Sequence, residues 1–236
     1  SGKDNNAVGY RVLYSNTSGS KNCAFGSLAL YNNNGTGDTF NNAFGYSALY
    51  ANSSGTDNNS FGSNALYTNT SGSKNNAFGS YALYSNNGTG DTNNNAFGHE
   101  ALYKNSSGKD NNAVGYQALK LNTSGSKNNA FGSQALYNNN GTGDTFNNAF
   151  GFNALYNNTG GTDNNAFGSN ALRSNSNGSS NCAFGTQALY SNTAGNNNAF
   201  GYAALNSNTS GSKNNAFGSY ALYNNNGTGD TFNNAF

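Results

Sequence analysis

The sequence predicts an all-β fold: a parallel β-solenoid, or β-roll, of about 14 coils, with two short strands in each coil. Three observations predict it. The motif NNAFG, or a near variant, recurs along the whole chain, its glycines running from Gly9 through Gly26 and Gly45 to Gly218, with a fourteenth copy cut at Ala235-Phe236. The spacing is 17 or 19 residues, with one step of 16 between Gly185 and Gly201, and the rhythm 17, 17, 19 makes a larger unit of 53. A unit of that length cannot bury a face alone, so units must stack on their neighbours. Asparagine fills nearly a quarter of the positions, and 32 more are glycine. Both are poor helix formers, which argues against a helical repeat. Residues 1–236 therefore read as a single repetitive segment.

With the motif glycine as position zero, each element follows in order. Position −4 is Asn in all fourteen copies, −3 is Asn except at Cys23 and Cys182, and −2 is Ala except at Ser60. Position −1 is Phe except at Val8 and Val114. This N-A-F-G segment reads as a short alternating strand. Position +4 is Leu and +7 is Asn in all thirteen complete copies, and +3 is Ala except at Val12. The A-L-Y segment reads as the second strand. The turns that follow, NTSG or NNGTGD, carry glycine for left-handed backbone and Ser, Thr, Asn or Asp for capping. Coils about 4.8 Å apart give a rod on the order of 65 Å long.

Period-two alternation assigns faces. With Phe inward, the core columns are Phe25, Phe44, Phe78 and Phe131, beside Leu30, Leu49, Leu83 and Leu136. An inward Asn column, Asn42, Asn76 and Asn129, completes the interior, because stacked amides bond along a cross-β axis. The small residues at −2, zero and +3 then form an outer face suited to close subunit packing. A second aromatic column, Tyr31, Tyr50, Tyr67, Tyr84, Tyr103 and Tyr137, falls on the surface as a candidate interface or ligand-binding row.

Composition excludes several functions. The net charge of +1, with 8% charged residues, lacks the basic footprint of a nucleic-acid binder. No apolar run reaches the roughly 20 residues of a membrane span, so membrane insertion is not expected. The single His and single Glu, His99 and Glu100, are adjacent, and neighbours in a strand point to opposite faces. They read as a solvated pair rather than a catalytic dyad. The eight Asp lie scattered in turns without a metal-binding cluster. No catalytic, cofactor or metal site is expected.

The core A-[FV]-G-x-x-A, as in Ala43-Phe44-Gly45 with Ala48, resembles the repeat of trimeric autotransporter adhesin heads, whose consensus is roughly S-V-A-I-G-x-x-A. It is also similar to NTAFGYQALYNNTTG-type repeats of phage or viral tail fibres. The resemblance covers essentially the whole chain. It implies a left-handed parallel β-roll, a homotrimer, and a role in attachment at an extracellular, cell or virion surface. This chain departs from that pattern. Its repeats are longer, Asn or Cys stands at −3 where the family has Val, and Phe replaces the smaller Ile.

Other features are weighed beside it. Cys23 and Cys182, nine coils apart, read as buried thiols in place of Asn. At −5 the residues run Asp4, Lys21, Phe40, Asp57, Lys74, which predicts Asp–Lys pairs between adjacent coils. Thirteen N-x-S/T sequons, such as Asn34, Asn52, Asn69 and Asn87, read as turn chemistry, with a glycan ladder as the other reading. Ser1 is not expected to be a natural start, and Phe236 stops inside a motif, so a segment of a longer fibre is expected. The functional expectation is a non-catalytic fibre segment, with self as partner in a homotrimer or end-to-end filament and a surface receptor or glycan as a further partner. A self-assembling structural filament is the alternative, and an ice-binding solenoid the third reading.

Overall fold

The computed structural model describes residues 2–236, which contain strands, turns and bends and no helix. The chain is a parallel β-solenoid of about fourteen turns. It divides into two units, Ser1–Ser124 and Gly125–Phe236. In the first unit the motif segments form seven strands, among them Cys23–Phe25, Asn42–Phe44, Asn59–Phe61, Asn76–Phe78 and Asn95–Phe97. Each pairs in parallel with the strand of the next coil, and the register has no offset: Asn76 lies beside Asn95, Ala77 beside Ala96 and Phe78 beside Phe97. The second unit repeats this from Asn129–Phe131 to Asn234–Ala235, with Asn148, Ala149 and Phe150 beside Asn165, Ala166 and Phe167. Like therefore stacks on like along each unit.

The alternation expected from the sequence is present, but its phase is reversed. Ala at −2 and Asn at −4 point inward and are buried, as Ala77 and Asn75 show at 0% exposure. Phe at −1 and Asn at −3 point outward. Phe25 and Phe131 are exposed, Phe44 and Phe78 are half-buried, and so are Asn42, Asn76 and Asn129. The placement of these seven residues in the core is therefore corrected. The physical reason is cross-section. Alanine, leucine and asparagine already fill the inside of a coil of 17 to 19 residues. A phenyl ring in the −2 slot would overpack it. Leu30, Leu49, Leu83 and Leu136 are fully buried. Because the Ala columns at −2 and +3 also lie inside, no Ala/Gly face is available for subunit packing.

The A-L-Y segment is not a strand. It runs through a turn in which positions +2 and +4 are left-handed, as at Tyr81 (φ 59°) and Leu83 (φ 49°). The backbone still bonds along the stack: Tyr81 N–H donates to Ser63 O of the preceding coil at 2.9 Å, and Leu83 N–H donates to Ala101 O of the next, also at 2.9 Å. The alternating handedness aims successive amides at opposite neighbours. It also lets Ala82 and Leu83, adjacent in sequence, both point inward. The other strands of a coil lie elsewhere, in short pieces such as Asn32–Asn33 against Ala51–Asn52 and Ser71–Ser73 against Thr89–Asp91.

Buried amides close the core. Asn75 Nδ2 donates to Asn58 Oδ1 at 3.0 Å, and the Asn75 backbone N–H donates to the same oxygen. Asn75 Oδ1 in turn accepts from Thr92 Oγ1 and from the Asn94 backbone N–H. A second column runs at +7, with Asn86 Nδ2 donating to Asn69 Oδ1 at 2.8 Å. The two columns meet at the Gly72 carbonyl, which accepts from both Asn58 and Asn69. A Cβ on Gly72 would sit 2.7 Å from amide atoms of Asn69 and Asn86, so glycine is required there. Asn153 Oδ1 is the one buried side-chain polar atom without a partner among the described residues. The interior thus packs apolar Ala and Leu columns beside a polar network whose amides bond to one another, which is the condition under which buried amides stabilise.

Candidate functional site

The surface carries two aromatic rows. The first belongs to the motif strands. In the first unit the rings of Phe25, Phe44, Phe61, Phe78 and Phe97 stack with centroids 4.7 to 5.0 Å apart. In the second, Phe131 through Phe217 stack at 4.5 to 5.0 Å. The ring spacing follows the strand spacing because register has no offset. Beside each Phe row runs the Asn column at −3, whose amides bond in a chain: Asn42 Nδ2 to Asn59 Oδ1 at 2.8 Å, Asn59 to Asn76 at 2.8 Å, and Asn76 to Asn95 at 2.7 Å.

The second row is the Tyr column at +5. Tyr31, Tyr50, Tyr67, Tyr84 and Tyr103 stack at 5.0 to 5.2 Å and are half-buried; Tyr137 stacks on Tyr156 at 4.9 Å. At two of the three positions where the repeat replaces Tyr, Lys120 and Arg173, a cation takes the slot; the third holds Asn206. The Arg173 guanidinium lies 5.4 Å from the Tyr156 ring and 5.6 Å from that of Tyr190, and the Lys120 ammonium lies 5.9 Å from Tyr103. Beside this row, Tyr46, Ser47, Asn64 and Tyr81 line a notch of about 270 Å³ backed by Tyr50, Tyr67 and Tyr84. The residues at +1 and +2 that shape the notch were invisible to repeat reasoning, because those positions vary from coil to coil.

Glu100 is more than half of a solvated loop pair. Its carboxylate pairs with Lys120 at 2.9 Å, accepts from Gln117 Nε2 at 2.7 Å, and lies 3.7 Å from His99 Nδ1. Partial burial pushes its pKa up. The hydrogen bonds from Lys120 and Gln117 and the nearby positive charges outweigh burial and hold it below the ordinary carboxylate value. His99 is exposed and its ring stacks 5.6 Å from that of Tyr116.

The lysines at −5 do form ion pairs, though not with the −5 aspartates. Lys21 pairs with Asp38 at 2.7 Å and Lys74 with Asp91 at 2.6 Å; Lys127–Asp144 and Lys213–Asp230 repeat the arrangement in the second unit. The reason is register. Ser18–Ser20 pairs with Thr36–Asp38 so that Ser20 lies beside Asp38, which brings that carboxylate next to Lys21. Lys21 also covers the Phe40 ring at 5.1 Å.

Cys23 and Cys182 are free and half-buried, in the outward Asn column rather than inside. Among the sequons, Asn52 and Asn69 are fully buried members of the +7 column, whereas Asn34 and Asn87 are exposed. The described residues contain no group of three His, Cys, Asp or Glu placed to hold a metal, and no helix long and apolar enough to cross a membrane. No family model matches the chain, and neither a curated protein nor a solved structure does so.

Proposed function

We propose that the chain is a non-catalytic fibre segment that serves attachment outside a cell, at a cell or virion surface, and assembles with further copies of itself. The observation that carries this reading is the solvent-facing Phe row. A large exposed aromatic patch marks an interaction surface, and here the ring recurs at a fixed interval from Phe25 to Phe97 in the first unit and from Phe131 to Phe217 in the second. The resemblance of the repeat to adhesin-head and tail-fibre repeats supports the same reading. The test is molar mass by light scattering across a dilution series on a sizing column, with negative-stain microscopy. A species at a whole multiple of 24.4 kDa, stable at micromolar concentration, is expected. A chain that stays at 24.4 kDa at every concentration overturns the assembly.

A further inference from the structure

Resting on the attachment reading, we propose that the notch beside the Tyr row of the first unit binds a neutral sugar ring carried by a surface glycan. Position +2 makes the notch. It lies beside the Tyr row, and its occupant changes from coil to coil: Leu28, Ser47, Asn64, then Tyr81. Two short side chains thus stand between two long ones. Leu28 and Tyr81 are three coils apart, about 14 Å at 4.8 Å per coil, and the space between them is the notch of about 270 Å³. That is just under the usual range of ligand pockets, about 300–1,000 Å³, and suits a sugar ring with its substituents. Every residue of the notch belongs to the first unit.

Two properties of the lining select the ligand. The first is open hydrogen-bonding capacity. Ser47 is only 3% exposed, yet its hydroxyl lines the notch and bonds to no other described residue. Asn64 Nδ2 donates to Ser63 Oγ at 3.2 Å, while Asn64 Oδ1 bonds to none. Glu100 stands at the position of Ser47 one 53-residue unit further on, and there Lys120 and Gln117 supply partners. A hydroxyl so nearly buried without a partner costs stability, and a ligand that supplies the partner removes that cost.

The second is the aromatic wall. Tyr50, Tyr67 and Tyr84 stack face to face at 5.0 to 5.2 Å, so a neighbour beside the row meets ring edges and hydroxyls. Tyr46 and Tyr81 stand outside that stack. Tyr46 is exposed, and Tyr81, also exposed, tilts 46° against Tyr84. Each offers a ring to the C–H side of a ligand. No Asp, Glu, Lys or Arg lines the notch, so a charged ligand would lose water and gain no counter-charge. A purely apolar ligand would leave the Ser47 hydroxyl and the Asn64 oxygen unpaired. A sugar ring meets both demands, with C–H faces for tyrosine and hydroxyls for Ser47 and Asn64.

The experiment uses the full chain and saturation-transfer NMR. The probes are the methyl glycosides of glucose, galactose, mannose and N-acetylglucosamine, each at about 10 mM. At least one is expected to bind with a Kd of about 1 mM. Ser47→Ala should weaken it about five-fold, the loss of one hydrogen bond. Asn64→Tyr should abolish it by filling the notch. That variant suits the fold, because Tyr81 holds the same position with the same left-handed backbone, φ 59° against 56° at Asn64. Tyr116→Ala removes an exposed ring outside the notch and should change nothing. Circular dichroism checks that each variant folds. Failure of all four glycosides overturns the site, and binding that survives Asn64→Tyr overturns its location. Glucuronate or glucosamine bound as tightly as the glucoside overturns the choice of a neutral ligand. The methyl group stands for the linkage to a glycan, so binding of free reducing sugars alone overturns the attachment role. A chain that is monomeric by molar mass yet binds a glycoside refutes self-assembly and leaves this site standing; an assembled chain that binds none does the reverse.

Discussion

Asn75 and Asn76 are neighbours of identical chemistry with opposite fates. The first is fully buried and donates and accepts four hydrogen bonds; the second is half-buried on the outer face and bonds along its column. Burial without a partner costs an amide several kcal/mol, so an inward Asn column survives only because each amide completes the next. Glu100 shows the same logic in an ionised group. Its folded-state pKa is depressed, so its contribution to stability is present above the unfolded value near 4.5 and is lost as pH falls through the folded value. Thermal unfolding should therefore show Glu100→Gln less stable than wild type at pH 6, by about 1 kcal/mol or less for so shallow a site, with the gap closing by about pH 3. A gap of constant size across that range would mean that the carboxylate's charge contributes nothing.

At the scale of the element, the coil is defined less by strands than by alternating backbone handedness. Leucine at +4 is left-handed in every complete coil, a region unusual for a residue of its size. The strain persists because burial of the leucine and two inter-coil bonds hold the segment. The motif glycine is forced by the same crowding: at Gly62 (φ +140°) a Cβ would lie 2.6 Å from the Gly79 carbonyl. The Tyr row is more tolerant, since Arg173 already substitutes for a ring within it. Arg173→Tyr should extend the stack and keep or raise stability by about 0.5–1 kcal/mol. Arg173→Asp, which loses the hydrogen bond to Tyr190 Oη and both cation–ring contacts, should lower it by about the same amount or more. Chemical unfolding of the two variants against wild type checks the ranking.

For the molecule as a whole, the period of 17 to 19 residues carried the solenoid, the zero-offset register and the separation of Asn, Leu, Tyr and Phe into columns. The phase of the alternation was not legible. Hydrophobicity alone places phenylalanine inside. The deciding quantity is the room within one coil, which Leu83, Ala77, Ala82 and the two Asn columns already occupy. Nor could repetition place the ion pairs, because Lys21 meets Asp38 only through the pairing of two short strands, one of which exists only in the 19-residue coils. The functional consequence follows from the phase. A solenoid filled by alanine, leucine and asparagine leaves its aromatic rows outside, where the proposed assembly would use them.

That inversion is tested most directly by comparing the unfolding free energies of Asn75→Ala and Asn76→Ala. Removing the Asn75 amide orphans the Asn94 N–H inside the core and leaves the Thr92 hydroxyl only its bond to Ser73 O, and should cost about 2–4 kcal/mol. Removing Asn76 breaks one outer column at a site that water reaches, and should cost about 1 kcal/mol or less. The reverse ranking, with Asn76 the costly position, would put the phenylalanines inside and contradict the account.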